Sequence, residues 1–286
     1  MSGYYDAIIY VILASIAFVF LDNLCRDVDP ISALFVMSGV AIFCFNVLSC
    51  RSLNKVYRSL FNNPFLFLAM SSALAVDWFC MIYATYLSDP FVTMTSLFIC
   101  SGFLGFVQLY RETGSRPYLF SMFLLILSIL VLYFKYEIQK PGSISYGILL
   151  GALAGLAFFI YMVTSEALCD RSGMSSLQIL ATRFWVLFIG SAILLPPGSL
   201  NPAIAHNAYS LIVVSIGSLV VPIFFNQQAI KKLGVAKASV LASLVPATTY
   251  FIYAMWNKNI LLTNALLCFI ITLSLILPKF LKIRSV

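Results

Sequence analysis

The sequence predicts an all-α integral membrane protein, with ten transmembrane helices forming two inverted five-helix repeats, and three observations carry that prediction. Hydrophobic residues make up 62% of the 286 and charged residues only 9%, with mean hydropathy +1.01, whereas a soluble chain is about one quarter charged. A helix needs about 20 apolar residues to cross the hydrocarbon core, and the chain divides into about ten such runs with short linkers between them. The layout of Phe65 to Tyr110, two apolar runs around Leu87-Ser88-Asp89-Pro90, returns as Leu211 to Trp256. Five runs per copy is an odd number, so the second copy enters the membrane from the opposite side. Secondary transporters built on such repeats place a site near the midplane, between the copies. Residues 1–138 form the first repeat and 139–286 the second, with no length left for a soluble domain.

In order, the runs fall at about 5–21, 31–49, 65–86, 91–110, 118–135, 143–168, 176–195, 209–230, 238–256 and 264–281. Met1 to Asp6 lacks the basic start and small-residue cleavage site of a signal peptide, so the first run is expected to stay as a helix. Pro222 and Pro246 lie inside the eighth and ninth runs; each removes a backbone donor and bends its helix. Gly102 with Gly105, and more cleanly Gly151 with Gly155, suit close helix contact.

Alternating the linkers between two sides collects Arg51, Lys55, Arg58, Arg111, Arg116, Arg171, Lys231, Lys232, Lys237, Lys279, Lys282 and Arg284 on one side. Only Arg26, Lys135, Lys140 and Lys258 fall on the other. Short cytoplasmic loops are rich in Lys and Arg, so both termini are placed in the cytoplasm. The formal charge of +7 thus reports orientation in a lipid bilayer, taken as a bacterial inner membrane, and no nucleic-acid partner is expected. The seven cysteines include no CxxC pair and most lie within apolar runs, Cys25 being placed in an outer loop. Neither a disulfide nor a metal site is therefore expected. His206, the only histidine, is placed in an outer loop with no role. No phosphate loop, zinc spacing or nucleophile motif occurs, so no cofactor and no enzymatic activity are expected.

An acid at bilayer depth costs roughly 3 kcal/mol on insertion scales, so Asp77 in the third run needs a partner or a task. Helical spacing is read as putting Tyr83 on the side of Asp77 and Phe79, with Trp78 about a quarter-turn away. A carboxylate beside aromatic rings suits a cationic or amine-bearing substrate, or takes up and releases a coupling proton. A structural ion pair with Arg183 is the alternative. Arg183 lies about two turns into the seventh run and is long enough to snorkel to the cytoplasmic interface. Turned inward, it would instead hold a substrate carboxylate and, with Asp77, a zwitterion. Asn226, Gln227 and Gln228 cannot all face one side of a helix, so Asn226 or Gln227 is expected to line a cavity, with hydrogen bonds between helices as the alternative. Glu166 is expected to reach the headgroups beside Arg171.

Several of these residues resemble the ten-helix drug/metabolite transporter superfamily, in particular its EamA-type members. The second half carries the better match. Tyr146-Gly147-Ile148 through Tyr161 resembles the opening of that half, with Phe158 where tryptophan is common and Glu166 where a basic residue is usual. Arg183 stands where the family often has arginine. Leu233-Gly234-Val235-Ala236-Lys237-Ala238, followed by Leu244-Val245-Pro246, resembles its small-residue turn and L-x-P. The first half departs further: Ala14 replaces the expected tryptophan, no arginine follows Pro30, and Ser101 stands at the position of Pro246. Glu112 fits the glutamate after the fourth helix.

The resemblance implies a cavity between the halves, lined by helices one, three, four, six, eight and nine, and alternating access. It implies cargo such as amino acids, choline, nucleotide-like metabolites, polyamines or siderophore-type compounds. Carried onto this chain, the substrate-binding candidates are Asp77, Tyr83, Phe158, Tyr161, Asn226 and Gln227, with Arg183 as a possible charge partner. The expected function is secondary-active or facilitative transport of a small polar metabolite, an amino acid or amine-bearing compound first. The alternative is a scaffold or accessory subunit of a lipid or metabolite translocation system that transports nothing itself.

Overall fold

The computed structural model describes residues 2–88, 90–137, 143–195, 202–257 and 261–283. Lys140 and Lys258 lie outside the described residues, as do the side chains of Cys25 and His206. Among the described residues there is no strand, and nine helical stretches are long and apolar enough to cross a membrane. The last helix adds a shorter apolar stretch, Leu262–Pro278. The outer surface is apolar, with Phe43, Phe123, Leu149, Phe251 and Phe269 exposed. This is an integral membrane protein, because only helices or closed barrels satisfy their own backbone where no water can.

The helices are α1 (Ser2–Asp27), α2 (Pro30–Leu48), α3 (Leu53–Asn62), α4 (Pro64–Leu87), α5 (Pro90–Thr113), α6 (Pro117–Glu137) and α7 (Ser143–Ser172). Then follow α8 (Ser176–Arg183), α9 (Trp185–Leu194), α10 (Pro202–Ser215), α11 (Val221–Leu233), α12 (Val235–Ala242), α13 (Val245–Asn257) and α14 (Leu262–Ile283). Pro30, Pro64, Pro90, Pro117 and Pro202 each open a helix, where the missing N–H has no intrahelical acceptor to lose. Asp29 caps α2 by accepting from the Ser32 N–H at 2.9 Å. Ser175 and Gln178 form a reciprocal capping box on α8. α1 runs to Asp27, so the backbone at Cys25 is helical and not an outer loop; the backbone at His206 is likewise inside α10.

The stretch 53–62 is a helix that the division into spans treated as linker. Its Val56 and Leu60 are buried while Lys55 and Arg58 are exposed, the one-sided pattern of a helix lying in the membrane interface. Its Tyr57 hydroxyl donates to Asn46 Oδ1 at 2.9 Å and accepts from Trp185 Nε1 at 3.0 Å, fastening it to α2 and α9.

α7 packs along both α4 and α5, and α1 packs along α11, α12 and α13. α5 meets α12, α2 meets α8, α9 and α10, and α6 meets α14. Glycines permit the tightest approaches. A Cβ at Gly151 would sit 2.8 Å from the Thr93 carbonyl and 2.9 Å from Ser96 Cβ, and Gly155 is closer still to Leu97. Gly105 lies against Ser239 and Ala236 in the same way. Both expected small-residue pairs therefore lie at helix crossings.

Three interruptions fall among the later helices. Phe184 separates α8 from α9. A π turn at Ile216–Val220 precedes Pro222, and Ser243–Leu244 separates α12 from α13 just before Pro246. Each proline removes a donor to the preceding turn, so the ladder opens on its N-terminal side.

Candidate functional site

On α4, residues 74, 77, 78 and 81 share one face because a helix repeats every 3.6 residues. Leu74, Asp77, Trp78 and Met81 line a central pocket with Tyr10, Ala14, Ala17 and Phe18 of α1, and Leu97 and Phe98 of α5. Phe158 and Tyr161 of α7 complete the wall, with Ser218, Ile223 and Asn226. The Phe98 and Phe158 rings meet edge-on at 6.0 Å, and Phe18 meets Phe98 at 6.1 Å. The cavity they line is about 40 Å³. One water needs roughly 10–15 Å³ and a ligand pocket is usually 300–1,000 Å³, so this conformation has room for a few waters and is closed to a metabolite.

An acid and a base are buried here without a direct ion pair between them. Asp77 is 5% exposed, and its Oδ1 has no hydrogen-bond partner. Arg183 is fully buried; its Nη1 donates to the Tyr161 hydroxyl, while Nε and Nη2 have no partner. Among the described residues the two charges make no ion pair within 4.0 Å. The guanidinium carbon lies 4.9 Å from the Tyr161 ring centroid and 4.8 Å from that of Phe184, where the negative ring faces stabilise a cation. Tyr161 then donates to Gln227 Oε1 at 3.1 Å, which also accepts from Ser165 Oγ at 3.0 Å. A polar chain thus runs Arg183, Tyr161, Gln227, Ser165 through an otherwise apolar interior. Tyr161 belongs to both this chain and the pocket wall.

Of the expected site residues, Asp77, Phe158, Tyr161 and Asn226 are brought together around the pocket. Asn226 is 1% exposed, and its Nδ2 has no partner. Gln227 is buried one layer behind, held in the polar chain instead of lining the cavity. Tyr83 is 39% exposed and points away. Its six-residue offset from Asp77 turns it about 240° around the helix. Trp78, placed to one side by the sequence reading, is 5% exposed and lines the pocket. Arg183 does not snorkel: Tyr161 and Phe184 draw its guanidinium inward. Glu166 turns toward the start of α12, where a Cβ on Gly234 would lie 3.6 Å from its Oε1 and the φ of Gly234 is +80°. Tyr10 and Phe18 went unnamed in the sequence reading, although Ala14 and Ala17 beside them leave room for a pocket on α1.

No family model matches this chain, and no curated protein matches it. Nineteen chains of solved structures do. One, described only as "Crystal structure of protein", aligns over 98% of this chain and 98% of its own with a TM-score of 0.69 and 14% sequence identity. A likeness at that identity is one of fold alone.

Proposed function

We propose that this chain carries a small zwitterionic metabolite, an amino acid or related amine-bearing compound, across a bacterial inner membrane by alternating access. One observation supports the reading above the others: Asp77 lines the pocket and Arg183 is bonded to its Tyr161 wall, both buried and with no ion pair between them. A charge deep in a membrane protein is expensive unless matched. A ligand with an ammonium and a carboxylate would engage both at once. Trp78, Phe158 and Tyr161 supply ring faces for the ammonium group, and Asn226 Nδ2 offers a further donor. Asp77 is also the natural place for a coupling proton.

The ten-helix inverted repeat and the EamA-type membership belong to this proposal, and the packing supports them. The main contacts come in corresponding pairs: α4 on α7 answers α11 on α1, α5 on α7 answers α13 on α1, and α2 on α10 answers α9 on α4. α5 with α12 and α6 with α14 pair across the axis. A two-fold relation between 1–138 and 139–286, with both termini cytoplasmic, accounts for all of these pairs together. The closed cavity is then an occluded state of the cycle.

The test is uptake of amino acids, amines and choline into proteoliposomes, with and without a pH gradient, together with thermal stabilisation by the same compounds. A cargo at 100 times its Kd should add about 2.7 kcal/mol to stability. A gradient-insensitive flux would assign Asp77 to binding alone. A second reading, a non-transporting scaffold or accessory subunit, is favoured by the cavity of about 40 Å³. It would be adopted if no compound of these classes is moved or stabilises the fold.

A further inference from the structure

Away from the pocket, α2 and α9 leave an open groove of about 490 Å³ on the outer surface. Its walls are Gly39, Ile42, Phe43, Val47, Trp185 and Phe188, and Cys50 and Leu53 close one end. The floor is low because position 39 has no side chain; a Cβ there would come within 3.3 Å of Phe188. Asn46 also borders the groove, but its polar atoms are engaged: Nδ2 donates to the carbonyls of Ile42 and Ala181 at 2.8 and 3.0 Å, and Oδ1 accepts from Tyr57. The groove is therefore an apolar channel. From Gly39 to Val47 it follows eight residues of α2, about 12 Å of depth.

The segment that closes it is basic. Arg51, set between the lining residues Cys50 and Leu53, and Lys55 and Arg58 in the first turns of α3 are all exposed. None lies within 4.0 Å of a carboxylate among the described residues. The opposite face of the same segment is buried through Val56 and Leu60. Trp185, which lines the channel, donates to the Tyr57 hydroxyl of α3 at 3.0 Å and so ties the channel wall to the segment that carries the cations, and amphipathic rings sit at this level in a membrane. An apolar slot along the hydrocarbon, an aromatic step and a cluster of cations at the headgroup level match one class of molecule in charge and in order.

We propose that this groove is a binding site for an anionic phospholipid, one acyl chain lying along Gly39 to Val47 and the phosphate facing Arg51, Lys55 and Arg58. A shallow apolar groove alone would take any annular lipid. The three unpaired cations make the site select charge, since each basic residue near the bilayer surface favours anionic lipid. The inference does not depend on what the central pocket carries.

The experiment places the full-length protein in phosphatidylcholine vesicles containing a minor fraction of dibrominated phosphatidylglycerol or, in parallel, dibrominated phosphatidylcholine. The quenching of tryptophan emission that is lost in Trp185→Phe reports the groove. Bimane attached to Cys50, which is exposed and borders the channel, reports the same contact should Trp185→Phe fold poorly. The expected result is about fivefold preferential quenching by the anionic lipid. The preference should vanish in R51Q/K55Q/R58Q, and Val47→Phe should reduce quenching by both lipids. Equal quenching by the two lipids, or a preference that survives loss of the three charges, would overturn the proposal. So would quenching indifferent to Val47→Phe.

Discussion

The helices before residue 138 and those after 139 meet at the same pocket but are built differently. α4 and α5 each run 24 residues without a break and bring Asp77, Trp78, Leu97 and Phe98 to the wall. Across from them, the backbone is interrupted at Phe184, at the π turn 216–220 and at Ser243–Leu244. Arg183 ends the segment before the first interruption, Ser218 lies in the second, and Asn226 and Gln227 follow it. An interrupted ladder has fewer hydrogen bonds to surrender when it bends. The earlier helices hold Asp77 on an unbroken wall, whereas Arg183, Asn226 and Gln227 lie next to breaks in the later ones, among which α7 is continuous over 30 residues.

The largest test of this contrast is removal of a charge from each side. Arg183→Gln and Asp77→Asn should each lower proteoliposome uptake at least about tenfold, because each removes the group that would hold one end of a zwitterionic cargo. The double variant should lose less than the sum of the two, since coupled sites are not additive. Full additivity in a double-mutant cycle would separate the two charges functionally. The second test transplants the break. Ser101 stands in unbroken α5, its Oγ bonded to the Phe98 carbonyl at 3.2 Å, where the ninth run has Pro246. Ser101→Pro should cost about 3 kcal/mol or more, whereas Pro246→Ala should leave thermal stability nearly intact and slow turnover. Equal stability losses would show that continuity does not distinguish the halves.

A smaller effect is expected at the shared residue. Tyr161→Phe keeps the ring but removes the hydroxyl that links Arg183 to Gln227, leaving buried groups unsatisfied at a cost of about 1–3 kcal/mol. Its melting temperature should fall, with uptake reduced more than by Ser165→Ala. The smallest effect belongs to Tyr83→Ala. An exposed side chain outside the pocket should change stability by about 0.5 kcal/mol or less and leave uptake unaltered. A clear uptake defect in Tyr83→Ala would mean that the pocket opens further along α4 than its closed form indicates.

Much of the helical layout was readable before any coordinates, because a span of about 20 apolar residues has few structural options in lipid. The interfacial helix escaped notice, although Leu53, Val56, Tyr57 and Leu60 already carry a 3.6-residue period. It is short and basic, and a search for spans passes over such a segment. Within the site, Asp77 stood out because a lone acid in an apolar run is conspicuous. Trp78 and Tyr83 were assigned to each other's sides, since neighbouring aromatic residues on one helix differ only in angle, and the angle matters only once the partner helix is known. Arg183 is expected from sequence to snorkel, since a long side chain eight residues into its helix can reach the interface, and only the packing turns it inward.

The chain by itself determined its solvent, its helices and the presence of buried charge, since these follow from composition and local period. Tertiary structure decided which way Arg183 turned, that Asp77 would not touch it, and that a small cavity would lie between α1, α4 and α7. The reason is distance along the chain. Tyr161, which holds Arg183, lies 22 residues before it, and Gln227, which holds Tyr161, lies 66 residues after that. No local pattern encodes such meetings, and only the packing of helices brings those groups within hydrogen-bonding reach.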